Sequence, residues 1–173
     1  LAKDYTTDAI KQFAASVDSA YADLYTRAGH YLDDNGNAIT LTPQIAKDIF
    51  AGVTYPWEVL PKIKDFIIEL GKTLDPEIYE EREENIWVAK SAKIFPSAYL
   101  GAPLIICEDA EVRHCAFIRG SAIVGKGAVV GNSTELKNSI LFDGVQVPHY
   151  NYIGDSILGY KSHTGAGTIT SNL

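Results

Sequence analysis

From Val88 onward an apolar residue returns at every sixth position: Val88, Ile94, Leu100, Ile106, Val112, Ile118, Val124, Val130, Leu136 and Phe142. A period of six fits neither the helical repeat of about 3.6 residues nor the alternation of a simple strand. Two residues ahead of most of these positions sits an alanine: Ala92, Ala98, Ala110, Ala116, Ala122 and Ala128. Glycine directly follows the apolar position at Gly101, Gly125, Gly131, Gly154, Gly159 and Gly165, where close backbone approach leaves no room for a Cβ. This is the hexapeptide pattern of a parallel β-helix, one of the periodic solenoid signatures. Three hexapeptides close one triangular coil, so residues 18 apart stack. The large residue of each points inward and the small one turns the corner. A run of short antiparallel strands would need period-two alternation and hairpin turns, and residues 88–142 show neither. The expected architecture is mainly β: a left-handed parallel β-helix preceded by an N-terminal α-helical region. Its crossovers are an exception to the usual right-handed rule.

Ahead of the repeat the spacing turns helical. Ile10, Phe13, Ala14, Val17, Tyr21, Leu24 and Tyr25 predict a helix over residues 5–30, capped by Thr6 or Thr7 and ending near Gly29. Asp33-Asp34-Asn35-Gly36-Asn37 is a turn signal. A second helical region runs from Pro43 to Leu74, with one apolar face at Ile45, Ile49 and Phe50. After Gly52, Pro56 and Trp57 open another, carrying Val59, Leu60, Ile63, Phe66, Ile67 and Leu70. The expected organisation is a helical region over 1–74, an acidic solvated linker over 75–85 and a β-helix over 86–173. The register is expected to slip between Phe142 and Val147, which makes residues 143–152 an irregular loop, the kind of interruption on which function is grafted. The last residue, Leu173, falls within a coil and carries no polar cap. Further C-terminal coils, or a partner covering that end, are therefore expected.

A hydrophobic content of 46% is that of a globular chain, and the N-terminus has no apolar signal-peptide core. A net charge of −7 disfavours nucleic acid and anionic membranes as partners. Cys107 and Cys115 read as free thiols of a cytoplasmic protein. No metal is expected, because His114, His149 and His163 are too dispersed for a zinc site of the carbonic-anhydrase type.

The candidate chemistry begins with Arg119 and Lys137, which lie 18 residues apart and so stack on one face, about 5 Å apart along the axis. Two adjacent cations invite an anion such as a phosphate dianion. The alternative is an exposed Arg and Lys paired with carboxylates such as Glu135 or Asp143. His149, within the irregular loop among Asn151 and Tyr152, is a candidate general base near neutral pH.

Four stretches carry a resemblance: Ile118-Arg119-Gly120-Ser121-Ala122, Gly131-Asn132-Ser133-Thr134-Glu135-Leu136-Lys137-Asn138-Ser139, His149-Tyr150-Asn151-Tyr152-Ile153-Gly154-Asp155, and Gly165-Ala166-Gly167-Thr168-Ile169-Thr170-Ser171-Asn172. They resemble the acetyltransferase domain of the bifunctional bacterial enzyme that makes UDP-N-acetylglucosamine. Pro56-Trp57-Glu58-Val59-Leu60 looks more like the β-helix proteins related to sugar nucleotidylyltransferases. The resemblance implies N-acetyl transfer from acetyl-CoA to an amino-sugar 1-phosphate. His149 would be the base, Arg119 and Lys137 would hold the phosphate, and Tyr152 and Asn172 would bind the sugar or its phosphate. Glu135, Asn151 and His163 are further candidates, His163 standing where the family has an asparagine. The resemblance also implies a homotrimer with sites between neighbours, and it places the coenzyme A coils beyond residue 173. The competing reading is a non-catalytic module that binds a sugar phosphate or drives trimerisation.

Overall fold

The computed structural model describes residues 31–32, 38–39 and 44–170. The chain divides into two units, Leu1–Leu41 and Thr42–Leu173. In the first, β1 (Tyr31–Leu32) pairs antiparallel with β2 (Ala38–Ile39) across the turn signal read from the sequence. That pair lies between the two stretches expected to be helical, and the helix expected over 5–30 lies outside the described residues.

The second unit opens with two 3₁₀ helices, Gln44–Phe50 and Pro56–Lys62, followed by the α-helix α1 (Ile63–Gly71). The sequence pattern predicts helix here but not its tightness. Pro56 occupies the first turn, where its missing N–H costs nothing. Pro61 sits inside the second segment, and regular α-geometry begins only at Ile63. The acidic stretch expected to be a linker contains strand β3 (Tyr79–Glu83), which pairs antiparallel with β4 (Ile86–Ala89). Its carboxylates point to water while its backbone covers the outer edge of the first coil, an edge that would otherwise be open for pairing.

From Ile86 the chain winds through four complete coils and most of a fifth. Three parallel faces result. Face 1 stacks β4, β7 (Leu104–Ile106), β10 (Ala122–Val124) and the second halves of β12 (Glu135–Leu141) and β14 (Tyr152–Leu158). Face 2 stacks β5 (Lys93–Ile94), β8 (Glu111–Val112), β11 (Val129–Asn132) and β13 (Gln146–His149). Face 3 stacks β6 (Tyr99–Leu100), β9 (Phe117–Ile118) and the first halves of β12 and β14. The inward residues Val88, Ile106, Val112, Ile118, Val124, Val130 and Leu136 are all fully buried. Each buried aliphatic contributes about 1.5–3 kcal/mol, and the stack is continuous along the axis.

Corners follow a rule of their own. The residue just before the small one adopts the left-handed conformation, as at Asp109, Cys115, Ser133 and Tyr150. A left-handed residue between two strands redirects the chain within one step, and the small residue after it fits inside the bend.

The register slips earlier than the sequence pattern indicates. Leu136 lies beside Ile118, 18 residues back, but Ser139 lies beside Ala122, 17 back. The corner at Lys137-Asn138 is therefore one residue short. Leu141, not Phe142, takes the inward place beside Val124, and Phe142 instead meets Phe50 edge-to-face at 5.8 Å. The next coil repeats the shortening, with Ser139 beside Ser156. Both short corners are braced by a serine: Ser139 Oγ donates to the Lys137 carbonyl (2.9 Å) and Ser156 Oγ to the Gly154 carbonyl (2.6 Å). Residues 143–152 are consequently no irregular loop. Gln146–His149 is a regular strand in register with β11.

The described helices lie along face 1, with α1 against β7, β10 and β12, and the preceding 3₁₀ segment against β14. Face 1 is built for this. Its outward residues Trp87, Ile105, Ile123 and Ile140 are buried as fully as the inward ones, a second apolar column with nearly the same spacing. The Trp87 ring packs so closely on α1 that a Cβ at Gly71 would collide with it.

Gly131 shows the tightest approach between coils, since a Cβ there would run into the Pro148 carbonyl. Gly127 has φ +62° but open space around it. Gly131→Ala should therefore cost about 3 kcal/mol or more through backbone displacement, against about 1 kcal/mol for Gly127→Ala. Urea unfolding of the two variants checks the order, and equal midpoints would contradict the close packing at Gly131.

Candidate functional site

Face 3 carries the stacked cations, and alternation along its strands decides which side chains leave the core. In β9 and the residue after it, Phe117 and Arg119 point outward on either side of buried Ile118. In β12, Glu135 and Lys137 do the same around Leu136. The backbone bond from Arg119 N to Leu136 O (2.8 Å) fixes Arg119 beside Lys137. The stacking expected from the 18-residue spacing is present.

Both cations are paired. Arg119 Nη1 donates to Glu135 Oε1 at 3.0 Å, and Lys137 Nζ donates to Asp155 Oδ2 at 3.2 Å. Asn138 Nδ2 donates to the other oxygen of Asp155 at 2.8 Å. The reading that paired these cations with carboxylates is thus the one realised, with Asp155 in place of Asp143. The residue in register with Lys137 is Gly154, 17 positions on, because the corner is one residue short; Asp155 reaches the lysine from the bend that follows. Arg119 and Glu135 are part-exposed, so the pair contributes at most about 1 kcal/mol of stability and is accessible to a competing charge.

Tyr152 is on the same face, in register with Glu135. Its ring lies over Gly154, where a Cβ would collide with the phenol, and Gly154 is itself in register with Lys137. Phe117 is in register with Glu135 on the opposite side. It is exposed and stands edge-on to exposed Tyr99 with ring centroids 5.4 Å apart. The two aromatic residues lie 18 apart and in register, the same spacing that joins Arg119 to Lys137, although neither is among the candidates singled out from the sequence.

The remaining candidates lie elsewhere on the solenoid. His149 is exposed at the corner between faces 2 and 3, in register with Asn132, and so at the opposite edge of face 3 from Lys137. Buried Asn151 fixes that corner. Its Oδ1 accepts from His149 N at 3.0 Å and its Nδ2 donates to the Gly165 carbonyl at 2.7 Å. His163 bridges to Gln146 on face 2. Asn172 lies outside the described residues. Within one chain, face 3 thus assembles Arg119, Glu135, Lys137 and Tyr152, with His149 and Asn151 at its edge and His163 on another face. Among the described residues no group of three His, Cys, Asp or Glu side chains could hold a metal ion.

A second polar cluster occupies the corner between faces 1 and 2. Tyr79 OH, from β3, donates to Glu108 Oε2 at 2.6 Å. Burial, with Cys107 and Glu108 nearby, pushes the tyrosine hydroxyl well above its ordinary value. Burial would also raise Glu108, but the bond from Tyr79, its own backbone and Lys126 hold it below the usual carboxylate range. The Cys107 thiol is fully enclosed and pushed up chiefly by burial, only partly offset by a hydrogen bond with Tyr79. Cys115 is exposed.

A stacked-coil aliphatic core, parallel faces in coil-to-coil register and left-handed corners define a hexapeptide-repeat left-handed β-helix. The comparisons with known proteins narrow this. Residues 100–173 match the family described as the GMPPB C-terminal domain. The chain is 32% identical over 129 residues to the bifunctional protein GlmU of Methanococcus maripaludis, covering 73% of this chain and 31% of that protein. It is 49% identical over 57 residues to the bifunctional protein GlmU of Thermodesulfovibrio yellowstonii, covering 33% of this chain and 13% of that one. The resemblance read from the four stretches is borne out. The chain spans about 30% of the length of the curated relatives it matches. Among solved structures, the acetyltransferase domain of PglB from Neisseria gonorrhoeae, also solved in complex with acetyl coenzyme A, overlaps 47% of this chain and 41% of its own, with 21% identity and a TM-score of 0.46.

The two thiols should separate cleanly in reactivity, since only a thiolate attacks. A disulfide reagent near neutral pH is expected to consume one thiol rapidly in the native protein and the second only on unfolding. Two fast equivalents would refute the enclosure of Cys107.

Proposed function

We propose that this β-helix carries the acceptor site of an N-acetyltransferase, moving an acetyl group from acetyl-CoA to an amino-sugar 1-phosphate. The observation that carries the reading is the arrangement on face 3, where Arg119 and Lys137 stack beside Tyr152 in the segments that resemble the bifunctional enzyme. Arg119 and Lys137 grip the phosphate, releasing their carboxylate partners as they do so. Tyr152 and Asn172 bind the sugar or its phosphate.

His149 accepts one proton from the substrate ammonium and frees the nitrogen lone pair. The lone pair attacks the thioester carbonyl carbon, the C–S bond breaks, and coenzyme A leaves as a thiolate that takes up the second N–H proton as the amide forms. The thioester is already activated, so the protein supplies position and one proton transfer. Asn151, through its bond to the His149 backbone, is a positioning residue for the base.

In this reading the protein works in the cytoplasm as a homotrimer. Two observations support sites shared between copies. Face 1 is covered by the chain's own helices, which leaves faces 2 and 3 for a neighbour. His163 projects from face 2, so it reaches a ligand on face 3 only when that face belongs to another copy. Among the described residues no helix is long and apolar enough to cross a membrane.

The pairing of both cations favours one other reading, a module that binds a sugar phosphate without turnover. An acetyl-transfer assay with acetyl-CoA and a panel of amino-sugar 1-phosphates, read by mass, decides between them. Turnover should fall by about 10²–10⁴-fold in His149→Ala with folding intact, and an unchanged rate would remove the base. Lys137→Ala should raise the Kd for sugar phosphate while Lys126→Ala, at another corner, leaves it unaltered. Equal effects of the two would remove the phosphate clamp.

A further inference from the structure

The cation column of face 3 sits beside a second outward column. Two residues N-terminal to Arg119 and Lys137 stand Phe117 and Glu135, with Tyr152 continuing that column on the next coil. Neighbouring members of a column are about 4.8 Å apart, and the two columns are about 7 Å apart along the strands. One column is cationic. The other places a carboxylate in register between two aromatic residues, a combination that favours an organic cation through charge and through the ring faces.

The charges also balance. Arg119 and Lys137 face Glu135 and Asp155, so an anion alone gains the cations only by stranding carboxylates. The two carboxylates differ in how they are held. Asp155 is anchored at the short corner by Asn138 as well as Lys137. Glu135 is held by the part-exposed Arg119, and a ligand that takes this arginine sets its carboxylate free. The freed Glu135 carboxylate then regains an ionic partner only from a ligand that brings its own positive group.

We infer that face 3 selects zwitterions, with Glu135 reading the ammonium group of an amino-sugar phosphate while Arg119 and Lys137 take the phosphate. The inference rests on the proposed acceptor site and adds a consequence to it. Acetylation turns the ammonium into a neutral amide, so Glu135 loses its ligand partner and returns to Arg119, displacing the phosphate. The same carboxylate that admits the substrate expels the product. Sugar phosphates without an amine meet the same exclusion.

Calorimetric titration of the 173-residue chain with glucosamine 1-phosphate, glucose 1-phosphate and N-acetylglucosamine 1-phosphate tests this, below and above the pH at which the sugar amine titrates. Below it, the amino sugar should bind about tenfold or more tightly than the other two. Above it, the preference should vanish. Glu135→Gln, which keeps shape and hydrogen bonding, should bring the three affinities within about threefold of one another, mainly by strengthening the two neutral sugars. Arg119→Ala should weaken all three, which locates the site on this face even if the Gln variant folds poorly. Equal affinities in the unaltered protein, or a preference that survives Glu135→Gln, would overturn the inference and leave the acceptor site standing. Binding of none of the three would overturn the acceptor site itself.

Discussion

Everything in this molecule depends on backbone pairing between coils. Each strand is hydrogen-bonded to the strand one coil before and one coil after, so a residue's neighbours are set by sequence distance and not by the path of the chain. The bond from Arg119 N to Leu136 O and the register of Glu135 between Phe117 and Tyr152 come from the same lattice. Because spacing is fixed by the peptide repeat, a side chain's place on the surface is as determined as its place in the core.

That determinism explains what could be read in advance. The six-residue period led directly to the β-helix, to its start at Ile86 and to the stacking of Arg119 on Lys137. The slip was misplaced because Leu141 and Phe142 are both apolar. The pattern cannot tell which of two adjacent aliphatic or aromatic residues faces inward, and only the pairing of Ser139 with Ala122 settles it. The cover over face 1 was missed for a related reason. Ile105, Ile123 and Ile140 fall midway through their strands, where the hexapeptide rule makes no demand, yet they form the platform for α1. Tyr79–Glu83 was read as a linker because its charges resemble a solvated tether. An edge strand with one side in water has the same composition.

The candidate site was legible in its cations and in one of its anions. Glu135 is among the carboxylates the sequence offers to this pair, and it holds Arg119. Asp155 is not, because the short corner puts Gly154 in register with Lys137 and brings the next residue, Asp155, to the lysine from the bend. Nor does the spacing reveal that His149 stands at the far edge from Lys137, since the supposed loop is a strand. The electrostatic character of face 3, two cations and two carboxylates held in balance, appears only once the side chains have directions.

The short corners at Lys137-Asn138 and Gly154-Asp155 carry a lesson about how such a chain can change. Losing one residue there altered the count from 18 to 17 without disturbing a single strand. A corner therefore behaves as a splice joint, and the coil behind it is an interchangeable part that keeps its alignment with its neighbours whatever its exact length. New side chains can be brought next to an existing site by lengthening or trimming a bend, while the stacked interior stays as it was. In a globular core the same deletion would force repacking in three dimensions. Here it is a change of one dimension only, and the surface can be recomposed coil by coil.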